Sequence, residues 1–94
     1  MSYRVEFAGR ARKAYLALPK KLRAQVGRRL DALAEEPRPR TGKALRGNLQ
    51  GEYRLRVGSV RVLYRVDDDL RLVRIAAVGP RPRIYDEARR QEDR

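Results

Sequence analysis

The sequence contains neither cysteine nor histidine. Without cysteine, the chain can form no disulfide framework, no thiolate metal site and no cysteine nucleophile. Without histidine, it lacks the side chain that most often transfers protons near neutral pH, and also the commonest metal ligand. We therefore expect no cofactor and no metal, and any catalysis has to use other side chains.

Aromatic residues are also scarce, at 6% of the 94 residues, although hydrophobic residues reach 41%. That hydrophobic fraction is enough for one modest core, so we expect residues 1–94 to form a single domain. The charged residues 86–94 are expected to be a loose tail. The N-terminus lacks the apolar region of a signal peptide, and no apolar run approaches bilayer length. A soluble, cytoplasmic protein is therefore expected.

Acidic residues are too few to balance the basic ones. Lysine and arginine number 24 against 12 aspartates and glutamates, which gives a formal net charge of +12. Most of the cations are arginines, because lysine occurs only at Lys13, Lys20, Lys21 and Lys43. The planar guanidinium group matches phosphate geometry and stacks on bases. Such a composition predicts a polyanionic partner.

The hydrophobic pattern predicts one strand followed by two helices. Apolar and polar residues alternate over residues 3–7, as is typical of a half-buried strand. Pro19 separates two stretches of helical spacing and is expected to end one helix and begin the next. The second helix carries an apolar stripe over Leu22–Leu33 and should end near Glu36.

Three further strands are predicted in the second half of the chain, the last of them over Leu70–Val78. Gly58-Ser59 is typical of a two-residue hairpin turn, and Asp67–Asp69 of a second turn. The segment 37–51 contains proline and glycine and is either an ordered loop or the site of a short strand. The order β-α-α-β-β-β predicts a compact α+β domain, in which an antiparallel sheet packs on an N-terminal helical hairpin.

Arginines recur on the sheet face that the helices would leave open. If Tyr53 and Tyr64 pack in the core, the arginines next to them in sequence must face the other way. This open face, with the loop after the last strand, would gather six cations: Arg54, Arg56, Arg61, Arg65, Arg81 and Arg83. Charged residues often solvate an exposed sheet face, but like charges on adjacent strands repel each other. The set as a whole therefore predicts an anion-binding surface, suited to a nucleic-acid backbone.

Four sequence segments together resemble one protein family: Leu45-Arg46-Gly47, Tyr53 to Gly58, Tyr64, and Val78 to Tyr85. In order and spacing they are similar to the RelE-like toxins of the RelE/ParE toxin–antitoxin superfamily, over nearly the whole chain. The resemblance implies the compact β-α-α-β-β-β fold. It also implies a metal-independent endonuclease that enters the ribosomal A site and cleaves mRNA by attack of a 2′-hydroxyl on the adjacent phosphate. The implied partners are the ribosome, its mRNA and an acidic RelB-like antitoxin, with no membrane.

Carried over by position, the family's catalytic residues fall on five residues of this chain. The catalytic basic pair corresponds to Arg54 and Arg56, where well-studied members often have lysine. The phosphate-binding arginines correspond to Arg61 and Arg81, and the C-terminal tyrosine to Tyr85.

Three further arginines are predicted to bind RNA, namely Arg46, Arg65 and Arg83. The sequence also departs from the family at Pro80, because the residue after the last-strand glycine is often basic.

The reaction needs a proton acceptor as well as positive charge. Arginine stays protonated at any ordinary pH and does not fill that role. Tyr85 is our hypothesis for the base or orienting group, if nearby arginines lower its pKa from about 10. A core or stacking position for Tyr85 is an equally open interpretation, and Glu52 is expected to form a salt bridge.

Two other functions fit the same sequence. A ParE-like toxin shares the fold but inhibits DNA gyrase without cleaving RNA, and a basic RNA- or ribosome-binding module would have no chemistry at all. Within the resemblance, Gly79 and Arg81 followed by Tyr85 favour the nuclease.

Overall fold

The computed structural model describes residues 2–38 and 52–80, together with the backbone of residues 43–44. These residues form two helices packed on one face of a five-stranded sheet with the strand order β1-β5-β4-β3-β2. The elements are β1 (Arg4–Phe7), α1 (Gly9–Leu16), α2 (Lys20–Glu35), β2 (Lys43–Ala44), β3 (Glu52–Val57), β4 (Val60–Asp67) and β5 (Leu72–Gly79). The predicted α+β fold class and order of elements are confirmed. No helix in this part of the chain is long and apolar enough to cross a membrane.

The helical hairpin turns at Pro19, as predicted. The α1 helix ends at Ala17, whose N–H donates to the carbonyl of Lys13. Pro19 then occupies the N-cap position of α2, with a φ of −53° that its ring fixes. Arg23 of α2 reaches back and donates to the carbonyl of Leu16 at 3.3 Å. This bond places a positive charge at the C-terminal end of α1, where the helix dipole favours a cation.

The sheet is mixed rather than wholly antiparallel, which corrects the prediction for the first strand. The meander β3-β4-β5 is antiparallel, but β1 pairs with β5 in parallel, with Val5 opposite Val73 and Phe7 opposite Ile75. Parallel neighbours require a long connection, and the chain between β1 and β5 passes through both helices and then through β2, β3 and β4.

The sequence predicted the first turn of the meander correctly but not the length of the second. Gly58-Ser59 joins β3 to β4 as predicted, and Gly58 adopts a φ of 58°, which glycine tolerates. The second turn is longer than predicted, because Asp67 ends β4 and accepts a hydrogen bond from the Leu70 N–H at 3.0 Å. The last strand therefore begins at Leu72 and not at Leu70.

The segment 37–51 contains a short strand, one of the two alternatives that the sequence left open. The two residues of β2 pair antiparallel with β3, with Lys43 opposite Arg54 and Ala44 opposite Tyr53. This pairing adds a fifth strand at the edge of the sheet. The predicted tail, residues 86–94, lies outside the described residues.

The core lies between the helices and one face of the sheet. The apolar stripe of α2, with Val26, Leu30 and Leu33 fully buried, packs against that face. Burial of a side chain of this kind contributes about 1.5–3 kcal/mol. The largest fully buried strand side chains of this core are Tyr64, Leu55, Ile75, Val62 and Val73.

A bulge between β4 and β5 shifts the alternation of the last strand. Tyr64 pairs with Ile75, but Leu63 pairs with Ala77, so that Ala76 is an extra residue in β5. Val78 consequently joins the core, whereas Ala77 shares the open face with Leu63. Strict alternation along β5 predicts that Ala77 shares a face with Ile75, and the inserted residue makes that prediction wrong.

Candidate nucleic-acid interface

Two arginines stand directly opposite each other beside the β3–β4 turn. Arg56 of β3 pairs with Arg61 of β4, one residue pair away from the two-residue turn. Directly opposed residues of an antiparallel pair have Cβ atoms about 4.5–5.5 Å apart, so this pair destabilises the sheet. Arg56 is exposed and Arg61 is half-buried. Neither forms an ion pair with a described acidic residue.

Gly79 leaves open space beside this pair. On the β5 side Arg61 pairs with Gly79, which has no side chain to cover its neighbour. A Cβ atom built at Gly79 would meet no heavy atom of the described residues within 4 Å. The described residues therefore leave room for a side-chain atom beside Arg61 at this position.

Arg54 lies one row farther along the open face. It is half-buried and pairs with Leu63, which in turn pairs with Ala77. Leu63 and Ala77 have no exposed surface, so solvent does not reach the middle of this face. We call Arg54, Arg56 and Arg61 the arginine triad. No acidic residue lies in register with the three on the neighbouring described strands.

In the next row of paired residues on the same face, acidic and basic side chains are equal in number. Glu52 of β3 pairs with Arg65 of β4, and Arg65 with Arg74 of β5, which lies opposite Glu6 of β1. The Nε of Arg65 donates to Oε1 of Glu52 at 2.7 Å, and only 8% of the Glu52 side chain is exposed. A buried carboxylate requires such a partner. The predicted salt bridge of Glu52 is confirmed, and it engages part of the Arg65 guanidinium.

Sequence reasoning missed a polar cluster at the opposite end of the sheet. Arg38, just after α2, holds both carboxylate oxygens of Asp68 at 3.0 Å and donates from Nε to the Tyr53 hydroxyl at 3.0 Å. The Tyr3 hydroxyl donates to the same carboxylate at 2.6 Å. We call these four residues the clasp. Its members are 15 to 65 residues apart in sequence, so no local pattern could have indicated it.

The clasp sets the direction of two pKa shifts. Hydrogen bonds from Arg38 and Tyr3 lower the pKa of Asp68, and the hydrogen bond to Asp68 raises the pKa of Tyr3. Burial raises the pKa of neighbouring Tyr64 to about 12. Tyr64 stacks on Tyr53 with ring centroids 5.6 Å apart. These three tyrosines are therefore structural, and neither Tyr3 nor Tyr64 is adapted to accept a proton near neutral pH.

The structure thus brings together three of the predicted site residues, Arg54, Arg56 and Arg61. A fourth, Arg65, lies on the same face one row away, in its ion pair with Glu52. The other four predicted residues lie outside the described residues: Arg46, Arg81, Arg83 and Tyr85. Within the described part, no group of three or more acidic residues could hold a metal ion.

The comparisons with known proteins agree with this fold. A family model described as the ParE toxin of type II toxin–antitoxin systems matches residues 5–85. Toxin RelG of Mycobacterium tuberculosis is 40% identical over 86 residues, which cover 90% of this chain and 98% of RelG. The chain belongs to the RelE/ParE superfamily of type II toxins. The resemblance stated from the sequence is confirmed.

Solved structures of RelE toxins superimpose on the whole domain. A mutant of Escherichia coli RelE with two arginines replaced by alanine, in its free state, has a TM-score of 0.82 at 29% identity and covers 97% of this chain and 98% of its own. The toxin–antitoxin complex RelBE2 from M. tuberculosis has a TM-score of 0.77 at 38% identity, with coverage of 86% and 100%. The RelE-like fold predicted from the sequence is therefore confirmed.

Proposed function

We propose that this RelE/ParE toxin is an endonuclease that cleaves mRNA in the ribosomal A site and so inhibits translation. The observation that carries the proposal is the arginine triad on the open face of the sheet, with Arg56 and Arg61 directly opposed and space beside Gly79. Opposed cations without an acidic neighbour are costly in the free protein. A phosphodiester bound between them removes that cost.

The triad suits the transition state of an attack by a 2′-hydroxyl on the adjacent phosphate. The O2′–P bond forms while the P–O5′ bond breaks, which leaves a 2′,3′-cyclic phosphate and a 5′-hydroxyl. The phosphoryl oxygens gain negative charge along the way, and guanidinium donors aimed at them stabilise that charge. Positive charge from arginine takes the place that a metal ion holds in other nucleases.

The proton acceptor has to come from beyond the triad, because arginine stays protonated. Among the described candidates, Tyr64 is buried with a raised pKa, Tyr53 accepts from Arg38, and Glu52 is paired with Arg65. Tyr85 therefore remains the residue that we assign as base or orienting group. Arg81 is assigned to the phosphate, and Arg46, Arg65 and Arg83 to RNA contacts outside the reacting nucleotide.

We further propose that an acidic antitoxin covers this surface when the toxin is silent. The RelBE2 structure is a toxin–antitoxin complex, which supports a partner of this kind. The net charge of +12 also supports it, because an acidic segment would neutralise the open face as it folds on contact. The proposed ribosomal target would place the protein in the cytoplasm.

A second candidate function is inhibition of DNA gyrase. It is favoured by one observation, that the matching family model is described as the ParE toxin. Both functions share the fold, so the target has to be decided by experiment.

The test is induced expression in bacteria, with mapping of mRNA 5′ ends and counting of viable cells. Wild-type protein should arrest growth and produce new ends within translated codons, and Arg61→Ala should abolish both. Arg74→Ala is the matched control, because it removes an exposed arginine from the same sheet face outside the triad. Arrest with intact mRNA and inhibited supercoiling would instead indicate gyrase, and an absence of arrest would contradict both toxin targets.

A further inference from the structure

The start of α2 and the β3–β4 turn lie at the same end of the domain. A Cβ atom built at Gly58 would contact Cδ1 of Leu22 at 3.7 Å. The arginine pair Arg56 and Arg61 adjoins that turn on the other side of the sheet. The open face and the helical hairpin therefore meet around one edge, which we call the hairpin end.

Lysines and arginines cluster on the helices at the hairpin end. Three of the four lysines of the chain flank the α1–α2 turn, namely Lys13, Lys20 and Lys21, and all three are exposed. Arg23 lies beside them and bonds to the carbonyl of Leu16. No acidic residue occurs between Gly9 and Leu30, so the sequence offers these cations no neighbour of opposite charge.

This placement of charge does not stabilise α2. Its first turn carries Lys20, Lys21 and Arg23 with no acidic residue, and its last turn carries Glu35 with no basic residue. The helix dipole favours the reverse arrangement. The dipole of α1 favours Lys13 and Arg23, which lie near its C-terminal end, but the dipole of α2 does not favour Lys20 and Lys21, whereas a bound anion does.

The surface is better suited to phosphates than to a folded peptide. Leu16 is the one exposed large hydrophobic residue of the two helices, with 50% of its surface accessible. Peptides that fold into grooves need several apolar anchors, whereas a nucleic-acid backbone is held by exposed cations. The side chains around Lys20 and Lys21 meet the second requirement only.

We propose that Lys13, Lys20, Lys21 and Arg23 bind the phosphodiester backbone of RNA that continues from the arginine triad around the hairpin end. The inference rests on the proposed function, because it assumes that the triad holds RNA. It adds a second contact surface, on the helical layer, for nucleotides that flank the reacting phosphate. That surface increases the affinity for long RNA and leaves the affinity for a very short one unchanged.

The experiment measures binding of two fully 2′-O-methylated RNAs, a tetranucleotide and a 16-mer, by fluorescence anisotropy between 50 and 200 mM salt. Methylation blocks the nucleophile, so binding is read without cleavage. The variant is Lys20→Gln/Lys21→Gln, and the matched control is Arg4→Gln/Arg71→Gln, which removes two exposed charges next to the β4–β5 turn. Thermal unfolding of both variants confirms that each is folded.

For the 16-mer, the lysine variant should lower the slope of log affinity against log salt by roughly 1.4, or about 0.7 for each lost phosphate contact. The control variant should keep the wild-type slope, and the tetranucleotide should bind all three proteins equally. Equal slopes for the two variants with the 16-mer would overturn the inference, as would a loss of tetranucleotide binding in the lysine variant. If binding of an acidic 16-residue peptide depended on the lysines while binding of RNA did not, the surface would be assigned to a protein partner instead. Wild-type protein that bound neither RNA would also overturn the inference, whereas failure of the proposed function would appear as intact mRNA in the expression experiment.

Discussion

The two ends of the domain use the same residue type in opposite ways. In the clasp, Arg38 is held by Asp68 through two hydrogen bonds of 3.0 Å and by the Tyr53 hydroxyl. At the hairpin end, Arg56 and Arg61 oppose each other and have no ion pair with a described acidic residue. Arginine with acidic partners stabilises the fold, whereas directly opposed arginines destabilise it, and these are the residues that we propose to bind an anion.

The separation of the two ends follows from the strand register. The row of Glu52 and Arg65 is two residues from that of Arg54, and four from that of Arg56 and Arg61. Because side chains on one face recur every second residue, charge changes from balanced to purely basic along a single sheet face. The buried pair Leu63 and Ala77 lies in the row of Arg54, between the row of Glu52 and the row of Arg56. On the described strands, the register therefore places Glu6 and Glu52 away from the row of Arg56 and Arg61.

The largest effect is expected from a change within the triad. Arg61→Ala should lower the rate of RNA cleavage by about 10²–10³-fold, the usual loss when one donor to a transition-state oxyanion is removed. Its free energy of unfolding should stay unchanged or increase slightly, because the variant relieves the repulsion with Arg56. Single-turnover cleavage on programmed ribosomes and urea titration measure the two quantities, with Arg74→Ala as the control. A variant that cleaved at the wild-type rate would remove Arg61 from the mechanism.

The next effect concerns the ion pair of Glu52 and Arg65. Arg65→Gln takes away the partner of a buried carboxylate and should cost about 2–3 kcal/mol of unfolding free energy. Glu52→Gln leaves behind an arginine that is 54% exposed and can be solvated, so we expect a loss of only about 1 kcal/mol. Urea unfolding at pH 7 compares the two variants and the double variant. Equal losses from the two single changes would show that burial of Glu52 does not set the cost.

A smaller effect, dependent on pH, is expected in the clasp. The pKa of Asp68 is lowered by hydrogen bonds from Arg38 and Tyr3, so its contribution to stability is present above its unfolded-state pKa of about 4. That contribution is lost as the pH falls through the lower pKa of the folded state. The melting temperature of Asp68→Asn should therefore be below that of wild type at pH 7, and the difference should shrink as the pH falls below about 4. Asp69→Asn, a change in the same turn, is the control. A difference that stayed constant with pH would mean that the carboxylate charge is not what stabilises the clasp.

Local sequence signals predicted much of the fold. The alternation of Arg54 and Arg56 with Leu55 and Val57 predicted which side of β3 faces the core, and Gly58 predicted the hairpin turn. These features depend on residues one to four positions apart. The triad followed from them, because opposing positions across a two-residue turn are fixed by the turn itself.

The features that escaped prediction depend on distant residues. The parallel pairing of β1 with β5 joins Phe7 to Ile75, and the clasp joins Tyr3 to Asp68. The bulge that turns Ala77 to the open face arises from the fit between two strands, and the hydrophobic periodicity of the sequence does not indicate it. Sequence patterns carry little information on such pairings, because each joins residues that are far apart in the chain.

The smallest effect that we predict concerns the hydroxyl groups of two stacked tyrosines, Tyr53 and Tyr64. The Tyr64 hydroxyl is buried and has no hydrogen-bond partner in the described part of the chain, whereas the Tyr53 hydroxyl accepts from Arg38. Tyr64→Phe should therefore keep the unfolding free energy or raise it by up to about 1 kcal/mol, because an unbonded buried hydroxyl is costly. Tyr53→Phe should lower it by about 0.5–1.5 kcal/mol through loss of the bond to the Arg38 guanidinium. Both variants keep the ring and its stacking, so urea titration isolates the hydroxyl. A loss in Tyr64→Phe as large as that in Tyr53→Phe would show that the buried hydroxyl is bonded after all, and its pKa of about 12 would then reflect more than burial.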